Sequence, residues 1–571
     1  MERGQSVRPS VNQSISQSAF PLHERYLLLT PNPRVSAASQ DFWSVKFYPF
    51  TEAGLDPVFA VVGGTRILIC RTPTGEEKEK EKEKEKENSQ MEVLRMILDD
   101  DVDANNYACT WTKNLETGAP LLCVAGHTGI IKIFDVLTGE LLRTLAGHGG
   151  EINDLVISPI NPYILASCSE DCTVRVWSLD PAHASQPCAA ILEGDGHKDN
   201  ILTLSFHDSG RYLLSGAADH IIMLWTLPEF PDANTGTNIP TRIFYPHFST
   251  AEVHADCVDC VAWWGDLVLS KASNENTLVL WSINKFPPSS PPPPTTAPTL
   301  HQPHRDTRSA FVTPLPASST NNAFSLYTRH LHFSLPDSCI LFTRFSLFPG
   351  LPPPPSPPAA SASSPARSPP LDKSHPILAF CNTKSKIMYW DLARLERYFD
   401  DEPYLPTSKD GTVSHPNLNS APLSRAQIHQ MPTPASPHAH PFLRPSQRRG
   451  RRGALMTRVA RNISPSESAS SYQTASDLTG DRDEPSSTTG TGTGTGHASG
   501  KGSFDWVRSR KLWAREYDMR EPARGLQRHR EDIVRGVPFA GRQVAWSPCG
   551  EWCVVVGSHG VMAVSQRWKE S

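Results

Sequence analysis

Residues 147–177 read GHGGEINDLVISPINPYILASCSEDCTVRVW, and residues 196–225 read GHKDNILTLSFHDSGRYLLSGAADHIIMLW. Each opens on Gly-His and runs through an apolar strand into a turn carrying Pro or Asp and Gly. A second strand ends in small residues, an Asp follows, and a third strand closes on Trp. Short apolar runs bounded by turn residues read as strands. The two histidines stand at 148 and 197 and the turn aspartates at 171 and 219. Self-similarity at roughly 50 residues is the mark of a repeat architecture.

The plan matches WD40 repeats, whose period is ~40–45 residues. Five weaker copies flank the two strong ones. WSVKFYPF with PVFAVVGGTRILICR (43–71) is the first, and a unit from Tyr107 to CVAGHTGIIKIFD (123–135) is the second. The fifth is VDCVAWWGDLVLSKASNENTLVLW (258–281); SCILFTRFSLF (338–348) with ILAFCNTKSKIMYWDL (377–392) forms the sixth, and GRQVAWSPCGEWCVVVGSHGVMAV (541–564) the last. A small antiparallel sheet cannot bury both faces alone, so such units stack around an axis. The expected fold is all-β, a seven-bladed WD40 β-propeller with long disordered inserts. The Gly-His and turn Asp are expected to tie one turn to the next strand.

Composition supports this division. The 571 residues include 52 prolines, and only 38% are hydrophobic, below the range of ordinary globular chains. The shortfall is concentrated in a few segments. The division expected is a disordered N-terminus at 1–30, blades one to six over 31–392 with inserts at 72–92, 285–335 and 349–375, a disordered insert at 393–529, and the last blade at 530–571. EEKEKEKEKEKE (76–87) alternates charge, FPPSSPPPPTTAPT (286–299) and the Pro-rich run at 349–370 favour polyproline II or disorder, and 403–503 is rich in Ser, Thr, Pro and Gly. TGTGTGTG (489–496) lacks the strand before and helix after that a phosphate loop requires. RRGRRG (448–453) reads as a solvated linker or as a nuclear-import or nucleic-acid patch.

A net charge of −4 gives no global reason to expect nucleic-acid binding. No signal peptide or membrane helix is expected, and the scattered cysteines point to a reducing compartment. Cys257-Val-Asp-Cys260 is a lone CxxC without a second pair, read as structural rather than as a zinc site. No catalytic constellation, metal site or cofactor is expected, so the chain reads as a non-enzyme.

The repeats can be superposed on the large apolar residue late in each first strand: Phe47, Trp111, Ile157, Phe206, Trp263, Phe345 and Trp546. Four positions earlier stand Trp43, Tyr107, Asn153, Leu202, Asp259, Leu341 and Arg542. These seven are expected around one mouth of the central channel. Aromatics gather on one arc, Trp43 and Tyr107 with Phe342 beside Leu341, near Arg542 and Arg344, while Asn153 and Asp259 come from the other side. Aromatic faces attract a methylated ammonium, which has no N–H to leave unpaired when trimethylated. A plug of the channel is the competing reading of Tyr107.

The chain resembles the Polycomb-group WD40 family of EED and extra sex combs proteins. The resemblance is carried by IFYPHFSTAEVHADCVDCVAWWGDLVLSKASNENTLVLW (243–281), and by DPVFAVVGGTRI (56–67), DVDANNYACTWT (101–112), LLCVAGHTGIIKIFD (121–135) and GHGGEINDLVISPINPYIL (147–165). It implies a nuclear, non-catalytic scaffold of Polycomb repressive complex 2, acting in transcriptional repression. The implied partners are the SET-domain histone methyltransferase subunit, other subunits of the complex, and the histone H3 tail trimethylated at lysine 27. It further implies a cage of Trp43, Tyr107 and Phe342, with Leu341 where the family has Trp, and Arg344, Arg542 and Asn153 at the rim or on the peptide; the superposition above adds Asp259 to that rim. The family's C-terminal ending survives only as SQRWKES (565–571), so the last strand is irregular or the N-terminal segment closes the ring. The alternative function is a WD40 adaptor of another complex, such as a ubiquitin-ligase substrate receptor, without methyl-lysine binding.

Overall fold

The computed structural model describes residues 22–25, 41–52, 55–72, 91–286, 291–302, 306–312, 325–351, 375–392, 525–535 and 538–567. The charged run 76–87, the phosphate-loop-like repeat, the RRGRRG cluster and the 403–503 segment lie outside these residues.

Seven sheets follow one another along the chain, antiparallel throughout except for the parallel pairing of Cys188–Leu192 with Thr241–Ile243 in the third. Their innermost strands are Ser44–Phe47, Asn106–Lys113, Ile152–Ile157, Ile201–Phe206, Val258–Trp264, Ser346–Phe348 and Gly541–Trp546. Alternate residues of each strand enter the cores on its two sides, as the two-residue period of a strand requires. In Tyr212–Ala217, Leu213 packs with blade three, whereas Tyr212 and Leu214 pack with blade five. Seven apolar clusters result, each filled by two neighbouring blades: one with two, two with three, three with four, four with five, five with six, six with seven and seven with one. The ring is closed. Burial on both faces explains why the strands read as apolar runs rather than as clean alternation.

The histidines, turn acids and tryptophans of the repeat form one network three times. His148 Nδ1 lies 2.9 Å from Asp171 Oδ2, His148 Nε2 lies 2.7 Å from Ser167 Oγ, and Trp177 Nε1 donates to Ser167 Oγ at 2.8 Å. His197, Asp219, Ser215 and Trp225 repeat it, as do His254, Glu275, Ser270 and Trp281. Burial pushes the Asp171 carboxyl up, but hydrogen bonds and charge from His148 outweigh it and hold the group below its usual range. These side chains are spent on packing, as expected.

Blade boundaries need correction in three places. The 285–335 insert contributes Leu300–Gln302 and Thr307–Ser309 to blade four and the outer strand of blade five, Tyr327–Ser334. Arg530–Ile533, placed above in the last blade, is the outer strand of blade six. Leu22–Arg25, placed above in a disordered N-terminus, pairs antiparallel with Met562–Arg567 and completes blade seven. The N-terminal segment therefore closes the ring.

Candidate functional site at the channel mouth

Five of the seven superposed positions share one backbone irregularity. The pairing of first and second strands shifts register at Tyr107, Asn153, Leu202, Asp259 and Arg542. A bulge leaves one residue out of the ladder and re-aims its side chain. Trp43 stands one residue before its strand, its N–H donating to Val62 O at 2.9 Å. In those five blades the positions are equivalent because the backbone makes the same detour. Glycine permits the close approach there: a Cβ on Gly126 would lie 2.0 Å from Asn105 O.

Three aromatic rings meet at the mouth. The Phe342 centroid lies 6.3 Å from that of Trp43, nearly perpendicular to it at 84°, and 6.3 Å from that of Tyr107, tilted by 39°. All three side chains are half-buried. Phe342 adopts φ = 58°, the left-handed region that a bulky residue rarely occupies, at a cost of about 1–2 kcal/mol. The main chain around it is fixed from below, since the next amide, Thr343 N, donates to Asp259 Oδ2 at 3.3 Å. Arg542 backs the Trp43 wall, its guanidinium carbon 4.2 Å from the ring centroid. Its Nη1 donates to Leu341 O at 3.1 Å and its Nη2 to Asp41 Oδ2 at 3.4 Å.

The remaining expected rim residues lie deeper. Arg344 reaches from blade six across the channel to the opposite blades. Its guanidinium lies 2.7 Å from Asp154 and donates to the carbonyls of Asn153 and Leu202 at 3.0 and 2.9 Å. Burial alone would lower its pKa, but the charges of Asp154 and neighbouring groups raise it, so it stays cationic. Asp259 is fully buried and ion-paired with Lys271 at 3.0 Å, below the rim rather than on it. Burial raises its pKa against the pull of Lys271. Asn153 is buried too. Its Nδ2 donates to Asn200 Oδ1 at 2.5 Å and to Ile201 O at 2.8 Å, while its Oδ1 has no partner among the described residues. The mouth is thus aromatic above and polar below.

Sequence reasoning missed two residues. Tyr107 donates its hydroxyl to Glu151 Oε2 at 2.5 Å, and His127 Nδ1 lies 2.6 Å from Glu151 Oε1. Burial, then the charge and hydrogen bond of Glu151, push the phenol well above its ordinary pKa. A Glu directly before a bulged inner strand was the available signal. At the CxxC, Cys260 is buried in the apolar core, while Cys257 is half-buried with its thiol on Ala218 O. Among the described residues no group of three or more His, Cys, Asp or Glu could hold a metal ion. No described helix is long and apolar enough to cross a membrane.

The WD domain, G-beta repeat family matches residues 139–178 and 187–226. Polycomb protein EED of Chaetomium thermophilum is 36% identical over 97% of this chain and 95% of its own length. Polycomb protein esc of Drosophila melanogaster is 34% identical over 39% of this chain and 52% of its own length. Among solved structures, the crystal structure of the Chaetomium thermophilum polycomb repressive complex 2 contains a chain 34% identical, at TM-score 0.66, covering 96% of this chain and 98% of that one. ctPRC2 in complex with H3K27me3 and H3K27M matches at 32% identity and TM-score 0.66, covering 97% and 99%. With relatedness along nearly its whole length and the seven-bladed WD40 fold, the chain belongs to the EED and extra sex combs family of Polycomb proteins.

Proposed function

We propose that this chain is the WD40 subunit of a Polycomb repressive complex 2 and reads trimethylated lysine 27 of histone H3 with Trp43, Tyr107 and Phe342. The observation that carries the reading is the convergence of these three rings, from blades one, two and six, on one channel mouth. A trimethylammonium placed among them gains about 0.5–2 kcal/mol per well-placed face and loses no hydrogen bond. Arg542 occupies the rear of Trp43, which fixes the ring and leaves its other face for the ligand.

The arrangement offers binding, not catalysis. The buried acids near the mouth are committed to Arg344 and Lys271, so neither Asp154 nor Asp259 is free to act as a base. The chain then supports a methyltransferase subunit in trans, in the nucleus. We assign the segment of that subunit to the opposite face, where half-buried Trp263 stacks on Phe286 at 5.5 Å beside Phe311. A methylated tail stimulates such a partner only by binding its active arrangement better than its inactive one.

The test is calorimetric titration with H3 peptides, trimethylated at lysine 27 or unmodified. Methyl-selective binding that disappears in Tyr107→Ala, with the variant still folded by circular dichroism, supports the reading. Equal binding of both peptides, or none to the native chain, removes it. Capture of the SET-domain subunit by the native chain, lost on substitution of Trp263 by Ala, tests the scaffold role separately.

A further inference from the structure

We propose that Glu151, steadied by His127, is a positioning residue for the aromatic cage: it holds the Tyr107 ring at the tilt that turns its face toward the ligand. The inference rests on the cage reading above and adds to it a polar clamp behind one wall.

Tyr107 sits at a bulge, outside the ladder that would otherwise fix it. Across the mouth, Leu341 supplies no flat ring to pack it in place. The hydroxyl is instead gripped by Glu151 at the start of blade three's inner strand. The Glu151 main chain is anchored, its carbonyl accepting from Glu170 N at 2.9 Å. The second carboxylate oxygen is taken by His127, on a turn of blade two whose own amide donates to Asn105 O at 3.1 Å. Tyr107 and His127 belong to one blade and Glu151 to the next, so the carboxylate bridges the seam with one oxygen for each partner. A hydroxyl-to-carboxylate bond is short and about twice as strong as a neutral one. Rotating the ring away breaks it. A phenol is protonated at neutral pH in any case, so the hydroxyl is the donor and the carboxylate the acceptor.

The full chain carrying 13Cζ-labelled tyrosine reads the clamp without any ligand, with the Tyr107 resonance assigned by its loss in Tyr107→Phe. Glu151→Ala is expected to shift that resonance, and Glu151→Gln, which keeps an acceptor, to restore it in part. In titrations with the H3 peptide trimethylated at lysine 27, Glu151→Ala is expected to weaken binding about tenfold, and Glu151→Gln less than threefold. In a Tyr107→Phe background Glu151→Ala is expected to have no further effect. Equal losses in both backgrounds, or a resonance that Glu151→Ala leaves unmoved, would overturn the positioning role. A native chain that binds no trimethylated peptide overturns the cage reading itself, and the resonance then still decides whether Glu151 holds the phenol.

Discussion

Phe342 and Leu341 are neighbours with opposite fates. The left-handed backbone at Phe342 turns its ring into the mouth, while Leu341 is held there mainly by its carbonyl, which accepts from Arg542. A flat aromatic at 341 would add a fourth wall. Leu341→Trp is therefore expected to tighten binding of the trimethylated peptide by roughly 1 kcal/mol, about fivefold, with the unmodified peptide unchanged in the same titration. Much of this site was legible at the level of single residues. Tyr107 and Trp43 could be placed together because the repeats superpose, and Phe342 because it adjoins the superposed Leu341. Depth could not be read: Asp259 and Asn153 occupy the same register as Tyr107 yet lie buried, since what decides depth is the partner. Asp259 has Lys271 on the neighbouring strand, and no local pattern announces that pair. Glu151 escaped notice because its importance lies in touching Tyr107 across a blade seam.

At the level of elements, inner and middle strands were easy to find and outer strands were not. Inner strands bury both faces, so they read as apolar runs. Tyr327–Ser334 reads YTRHLHFS, with half-buried Arg329, Leu331 and His332, and a polar strand inside a proline-rich stretch looks like loop. Its pairing with Thr277–Ile283 is what makes it a strand. The Lys271–Asp259 pair belongs to this scale as well, joining the middle and inner strands of blade five while Asp259 accepts from Thr343 of blade six. Removing one member strands the other charge in the core. Lys271→Met is expected to destabilise the protein by about 3–5 kcal/mol, read as a lower urea midpoint. Combining it with Asp259→Leu is expected to recover more than half of that loss, because no lone charge remains.

For the whole molecule, seven shared cores make stability a property of the ring rather than of any blade. Composition and repeat count gave that architecture, but nothing local in Leu22–Arg25 (LHER) marks it as the strand that completes the seventh sheet. Its partner lies at the far end of the chain, and long-range pairing leaves no trace in a short window. Removing residues 1–30 bares the edge of Met562–Arg567. The truncated chain is expected to unfold roughly 5 °C or more lower and to self-associate through the open edge, seen by scanning calorimetry and size-exclusion chromatography.

The same clasp sets a schedule. Residues 562–567 leave the ribosome long after residues 22–25, with which they pair. At ~5–20 residues per second, the leading strand waits on the order of a minute for the one that completes it. A nascent chain of this protein is thus an open arc until residues 562–567 have emerged, and closure follows them.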